Sequence, residues 1–308
     1  MTLPLGDPGE LATPAGTARI LRAFAIRPRK RLGQHFLVSR RVLQRLLAEA
    51  DLRPGELALE VGAGLGTLTV ALAATGAAVV AVEVDERLIP VLRAATAGCQ
   101  AVRIVHGDIM ALDPVALTLG HPAVKLVANL PYQIASPLLV RCLETLPALT
   151  RAVVTVQAEV AERIQASPGS PAYGALSVAV QFRARARRVL RVPPGAFLPP
   201  PQVHSAVLRL DVLPAPRVRV RDAALFFAVV RAAFGQRRKM LRRALAAAWP
   251  TAAAELPEIC ARAGIDPQRR GETLTLAEFA ALTDALAEAL RHNGEGRGSG
   301  SPPPGGRS

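Results

Sequence analysis

The sequence predicts an α/β fold built on a mostly parallel sheet, followed by a small all-helical domain. Three observations carry this reading. Short apolar runs alternate with longer amphipathic stretches from Leu57 onward, the pattern becomes purely helical after Pro214 and Pro216, and half of the 308 residues are apolar, enough for two cores. Strands alternating with helices of about 10–15 residues imply right-handed crossovers and a sheet covered on both faces.

Residues 1–28 read as an N-terminal extension with one helix, its first dozen residues loose. In the domain spanning 29–213, buried strands are expected at Leu57–Val61, Ala78–Glu83, Ala101–His106, Val124–Asn129 and Ala152–Gln157. Arg187–Val192 and Val203–Val212 flank a Pro-rich connection, Pro193 to Pro201, and should close the sheet as an antiparallel pair. From 217 to 291 a helical domain is expected. Leu225, Phe226, Val229, Val230, Ala233 and Phe234 repeat with helical period behind an Asp222 cap, and the pattern resumes at Met240, Leu241, Ala244 and Leu245. Residues 292–308, rich in Gly, Ser and Pro, have nothing to bury and are expected to be disordered.

A net charge of +14 points to a polyanionic partner, commonly nucleic acid and less commonly an anionic membrane surface. Only Lys30, Lys125 and Lys239 are lysines, so a coding bias towards Arg accounts for the Arg:Lys ratio but not for the excess of positive charge. Basic clusters occur at Arg27–Arg31, at Arg183–Arg191, and along Arg231, Arg237, Arg238, Lys239, Arg242 and Arg243; the last has no acid between its ends and reads as a phosphate-contacting surface or a solvated helix face. Cys99, Cys142 and Cys260 are too dispersed for a zinc site or disulfide framework, so no metal is expected and a reducing, cytoplasmic setting fits. No apolar run reaches the roughly 18 residues that span a bilayer, and Asp7 and Glu10 are unlike a signal peptide, so no membrane association is expected.

The chemistry concentrates at predicted strand ends. Leu59 to Thr67 reads Leu-Glu-Val-Gly-Ala-Gly-Leu-Gly-Thr, a strand and glycine turn opening a helix, in which Gly62 and Gly64 let a ligand approach the backbone. Glu83, 21 residues beyond Gly62, can accept both hydrogens of a ribose diol, and Asp108 can accept from an adenine amine. Glycine turn and acid alone fit a dinucleotide or S-adenosylmethionine equally, and either acid can be a solvated loop residue. Asn129-Leu130-Pro131-Tyr132 adds a side-chain amide and a backbone carbonyl that can hold both hydrogens of an exocyclic amine, with a flat ring beside them. By itself this run is also ordinary turn chemistry. Ordered along one sheet edge, the four features favour S-adenosylmethionine and an adenine N6 target.

The chain resembles the 16S ribosomal RNA adenine N6,N6-dimethyltransferases. Seven segments between residues 13 and 291 carry the resemblance: Lys30 to Leu37, the glycine turn, Val82 to Asp85, Gly107-Asp108, Asn129 to Tyr132, Phe197 to Val207, and Ala233 to Lys239. It implies a Rossmann-like class I methyltransferase sheet of seven strands, mostly parallel, with a small all-α C-terminal domain. By position, the resemblance puts His35, Leu37, Gly62 and Gly64 at the methionine end of S-adenosyl-L-methionine, Glu83 at its ribose and Asp108 at its adenine. Asn129 and Leu130 hold the target amine next to the cofactor, and Tyr132 and Phe197 sandwich the flipped base. The helical domain's Arg231, Arg237, Arg238, Lys239, Arg242 and Arg243 match an RNA-binding surface. The implied activity is dimethylation of two adjacent adenosines near the 3′ end of 16S rRNA, in the small subunit or its assembly intermediate, by a monomer with a role in ribosome biogenesis. The competing readings are a 23S rRNA adenine methylase of the macrolide-resistance type and a non-catalytic assembly or RNA-binding factor on the same fold.

Overall fold

The computed structural model describes residues 8–236 and 239–295. Nine strands are formed among them: β1 (Phe36–Leu37), β2 (Leu57–Val61), β3 (Ala78–Glu83), β4 (Val102–His106), β5 (Val124–Asn129), β6 (Leu149–Gln157), β7 (Ala184–Val192), β8 (Phe197–Leu198) and β9 (Ser205–Val212). Seven of them make one sheet in the order β4-β3-β2-β5-β6-β9-β7, parallel from β4 to β6, with β9 antiparallel to both β6 and β7. The expected α/β architecture and its closing antiparallel pair are therefore both present. Strands β2 and β5 are buried almost throughout, the signature of parallel strands covered on two faces.

Chain order reverses between β2 and β5, which opens a crevice at their carboxyl ends. The glycine turn follows β2 on one side of that crevice and the Asn129 turn follows β5 on the other. A second, two-stranded sheet was not foreseen: β1 pairs with β8, Phe36 opposite Leu198 and Leu37 opposite Phe197. It ties the N-terminal segment to the Pro-rich connection.

The helix Arg40–Ala50, capped by Ser39, packs on β6 and β9 and carries Glu49 into a nest of arginines. Arg45 reaches Glu49 at 2.9 Å, Arg209 at 3.3 Å, and Arg187 also pairs with it. Arg187, of the Arg183–Arg191 cluster, is thus ion-paired within the fold. Breaking a buried pair of this kind leaves an uncompensated charge, so the network specifies how helix and sheet meet.

The chain divides into two compact units, and the division departs from the sequence reading in two places. The N-terminal segment is part of the first unit and carries two helices, Pro8–Leu11 and Pro14–Ala23; Leu11, expected to be loose, is buried with Ile20, Phe36 and Leu65, because its apolar side chain has a core to join. Residues Ala166–Phe182 belong with the helices from Pro216 onward, and not with the sheet. The reason is apolar packing. Phe182 stacks on Phe226 at 4.8 Å and meets Phe227 edge-on, Tyr173 is buried with Phe279 in the same core, and the Tyr173 hydroxyl donates to the Leu274 carbonyl at 2.9 Å. Asp222 caps the helix Ala223–Gly235 by accepting from Leu225 N at 2.9 Å, as its position implied. The last helix, Leu276–Glu295, continues past 291, into the stretch expected to be disordered. The tail beyond 295 lies outside the described residues, as do Arg237 and Arg238.

Amides in 175–182 should share the hydrogen-exchange protection of Ala223–Gly235 to within about 1 kcal/mol, because they open with one core. Phe182→Ala should destabilise that unit by about 3–5 kcal/mol, read as a lowered midpoint in denaturant.

Candidate active site

Gly62 follows β2 with φ 75°, and a Cβ there would stand 3.2 Å from Pro131 Cδ, so only glycine allows the two turns to meet. The turn's amides face inward. Gly62 N and Ala63 N both donate to the Val82 carbonyl, at 2.9 and 3.2 Å, and Gly64 N donates to Glu83 Oε2 at 2.8 Å. A phosphate-binding turn needs these N–H groups for its ligand, and here β3 has taken them.

A cavity of about 270 Å³ fills the crevice. His35, Leu37, Gly62, Gly64, Glu83 and Asp108 line it, together with Asn129, Leu130 and Tyr132. Glu60 contributes a third carboxylate, and the lining contains no lysine or arginine. Such a wall repels a pyrophosphate and suits a ligand that carries positive charge.

The three acids differ. Glu83 is buried, and its second oxygen accepts from Asp85 N at 2.9 Å; burial raises its pKa, against the opposing pull of the backbone N–H bonds. Each oxygen keeps a further lone pair for a ligand hydroxyl. Asp108 lies two residues beyond β4, exposed, with Oδ1 accepting from Met110 N at 2.9 Å. Its loop is pinned by Arg141, which donates to the carbonyls of Ile109 and Met110 at 2.8 Å and of Leu112 at 2.6 Å. Glu60 is 2% exposed and Oε2 has no hydrogen-bond partner among the described residues; burial pushes its carboxyl up to about 8, opposed by the nearby Thr69 hydroxyl and reinforced by the Glu83 charge.

Asn129 closes β5. Its Nδ2 donates to the His35 carbonyl at 3.0 Å, and Oδ1 is buried without a partner among the described residues. Because the His35 oxygen can only accept, the amide has one orientation, donor outward to the loop and acceptor unused. Tyr132 begins the next helix; its hydroxyl is 2.6 Å from Ser205 Oγ, and burial raises the phenol pKa above its ordinary value. The His35 ring lies against one face of Tyr132, 5.5 Å between centroids, while His35 Nδ1 donates to the Pro199 carbonyl at 2.7 Å. One ring face and Nδ1 of His35 are thus engaged by Tyr132 and Pro199.

Phe197, expected opposite Tyr132, does not line the cavity. It is 2% exposed and sits in the core with Leu37, Ala63 and Val207, because pairing of β8 with β1 turns its ring inward.

The sequence profile of the ribosomal RNA adenine dimethylases matches residues 25–286. A ribosomal RNA small subunit methyltransferase A from Pelotomaculum thermopropionicum is 47% identical over 290 residues, which cover 91% of this chain and 98% of that protein. The chain belongs to the ribosomal RNA adenine dimethylase family. A relative of the same name from Geobacter sulfurreducens is 46% identical over 275 residues, 87% of this chain and 99% of its own length. Among solved structures, a 23S rRNA methyltransferase, ErmE, is similar at a TM-score of 0.63 and 25% identity, covering 82% of this chain and 99% of that one. A dimethyladenosine transferase from Plasmodium falciparum shares the fold at a TM-score of 0.67 and 23% identity, over 85% of this chain and 98% of that one.

As a member of this family the protein is a ribosomal RNA adenine dimethyltransferase, and its methyl donor is S-adenosylmethionine. The acid-lined cavity fits that donor, whose sulfonium and ammonium are both cationic. Sequence reasoning missed four of the residues that shape the site: Glu60, Gln34, Asp85 and Arg141. Glu60 was hidden inside an apolar strand. Gln34 and Asp85 fell within matched segments without a role, and Arg141 acts across 29–32 residues of chain, with no local signal.

In the helical unit Arg231, Lys239, Arg242 and Arg243 are exposed and make no ion pair with a described residue. The chain has no transmembrane helix among its described residues: none is long and apolar enough to cross a membrane.

Glu60 yields a proton-linkage prediction. With its pKa near 8 it is mostly protonated at neutral pH, and an ammonium brought against Oε2 lowers that pKa. Binding of S-adenosylmethionine near pH 7 should therefore release up to about one proton, and affinity should rise with pH from about 6 to 7.5. Calorimetry in buffers of different ionisation enthalpy counts the proton, and Glu60→Gln should abolish its release.

Proposed function

We propose that the protein dimethylates N6 of two adjacent adenosines near the 3′ end of 16S rRNA, acting as a monomer on the small ribosomal subunit or its assembly intermediate. The observation that carries this reading is the orphaned Oδ1 of Asn129, a buried acceptor at the mouth of an acid-lined cavity. Relatives named for the small subunit along nearly their whole lengths support the choice of RNA.

S-adenosylmethionine, when bound, supplies a methyl group that needs no further activation. Its ribose diol would meet the free lone pairs of Glu83, its adenine amine Asp108, and its ammonium Glu60, beside the turn formed by Gly62 and Gly64. Asn129 Oδ1 and the Leu130 carbonyl would accept the two N–H groups of the target amine and aim its lone pair at the methyl. Delocalisation makes this nitrogen a poor nucleophile, so orientation supplies most of the rate. The base stacks on the Tyr132 face that His35 leaves open. Anchoring of the hydroxyl by Ser205 holds that ring still, and base–aromatic stacking contributes about 1–3 kcal/mol towards unstacking the nucleotide. The cations of the helical unit, Arg231, Lys239, Arg242 and Arg243, would contact phosphates and position the particle, as would Arg237 and Arg238.

Labelled methyl groups should appear on isolated small subunits, at two adjacent adenosines, and not on large subunits. Modified bases mapping to large-subunit RNA would assign the protein to the macrolide-resistance class. Asn129→Ala should lower turnover by about 100-fold or more while cofactor and RNA affinities stay within a few fold. Replacing Arg242 and Arg243 with Ala should flatten the salt dependence of particle binding by about 0.7–0.9 log units per lost phosphate contact, whereas an unchanged slope would make the cluster a solvated face.

A further inference from the structure

We infer that Gln34 and Asp85 are positioning residues for methyl transfer: together they lock the N-terminal turn so that the His35 carbonyl engages Asn129 Nδ2 and leaves Asn129 Oδ1 to the target amine. The inference rests on the amine-presenting role proposed for Asn129.

Residues Lys30–Leu32 form a single tight turn, closed by Leu32 N on the Arg29 carbonyl at 3.1 Å and ending at Gly33 in the left-handed region, φ 60°. Little apolar surface holds this turn: Leu32, Gly33 and Gln34 are all half-buried at the cavity rim. What holds it is polar. The Gln34 amide is committed at both ends, Oε1 accepting from Arg29 N at 2.8 Å and Nε2 donating to Asp85 Oδ2 at 2.9 Å. The Asp85 carboxylate has no exposed surface and is gripped from two sides, by Arg87 Nη2 at 2.6 Å and Arg29 Nη1 at 3.5 Å. Arg87 also reaches the Arg27 carbonyl at 3.4 Å, which fixes the approach to the turn.

His35 follows Gln34 directly, so the plane of the peptide that carries the His35 carbonyl is set within one residue of the lock. Should the turn shift, Asn129 Nδ2 loses its acceptor and the amide is free to rotate. Rotation would present N–H groups to an amine that itself needs acceptors. Asp85 serves the cofactor side separately, because its backbone N–H holds Glu83 Oε1 at 2.9 Å. Gln34 therefore affects the target amine without touching Glu83, and Asp85 stands between the two.

The test is a double-mutant cycle on the full-length protein with its ribosomal substrate. Gln34→Ala should lower kcat by about tenfold or more, with the Kd for S-adenosylmethionine within about twofold of wild type. In an Asn129→Ala background the same substitution should change kcat by less than about twofold, since the interaction it supports is already gone. Gln34→Glu preserves volume and packing and guards against a folding defect. Its carboxylate would face Asp85, with Arg29 and Arg87 flanking the pair and Glu83 beyond it. The protonated acid restores both a donor to Asp85 and an acceptor for Arg29 N, so its kcat relative to wild type should climb as pH falls from about 8 to 6. Near-normal kcat in both Gln34 variants, or losses that multiply in the double mutant, would overturn the positioning role. Near-normal kcat in Asn129→Ala alone would instead overturn the proposed role of Asn129.

Discussion

The hydrogen bond from Asn129 Nδ2 to the His35 carbonyl commits one half of a buried amide and leaves the other half without a partner. A buried acceptor in that condition costs about 1–3 kcal/mol, and a fold tolerates it where a ligand supplies the missing donor. Everything around Asn129 preserves this asymmetry. The two-stranded sheet of β1 and β8 brings His35 to the carboxyl end of β5, and the absence of a side chain at Gly62 lets Pro131 approach the glycine turn. Ser205 holds Tyr132 beside the amide.

Charge is divided in the same spirit. The protein as a whole is strongly basic, yet its cavity is walled by Glu60, Glu83 and Asp108 with no cation among the lining residues. Positive charge is presented elsewhere, on exposed residues such as Arg242 and Arg243 that make no ion pair with a described residue. On the proposed function, the polyanion and the cationic methyl donor would meet surfaces of opposite sign. A dinucleotide would meet the wrong one, because the turn amides that might cradle its phosphates already donate to Val82 and Glu83.

Much of this was legible in the sequence. Parallel strands buried on both faces read as continuous apolar runs, so β2, β3 and β5 emerge with their ends in place, and with them the glycine turn, Glu83 and Asn129. What escaped was long-range or concealed. Ala166–Phe182 lies inside the span assigned to the first domain, and its allegiance rests on apolar packing of Phe182 and Tyr173 with residues from Phe226 onward, and on the Tyr173 hydroxyl meeting Leu274, 101 residues away. The bonds of Gln34 to Asp85 and of Asn129 to His35 span 51 and 94 residues, so no local pattern announces them. Glu60 hid because a lone acid in an apolar strand leaves the periodicity intact. Phe197 shows the converse: a motif carries residue type forward, whereas burial depends on the pairing of β8, which sequence alone did not reveal.

The most direct measurement is a structure of the protein with a non-reactive analogue of S-adenosylmethionine and an adenosine-bearing RNA. The account predicts the adenine N6 within about 3.2 Å of Asn129 Oδ1, with Nδ2 still on the His35 carbonyl and the base against Tyr132. An N6 held by other groups, or an Asn129 amide released from His35 and turned over, would contradict it.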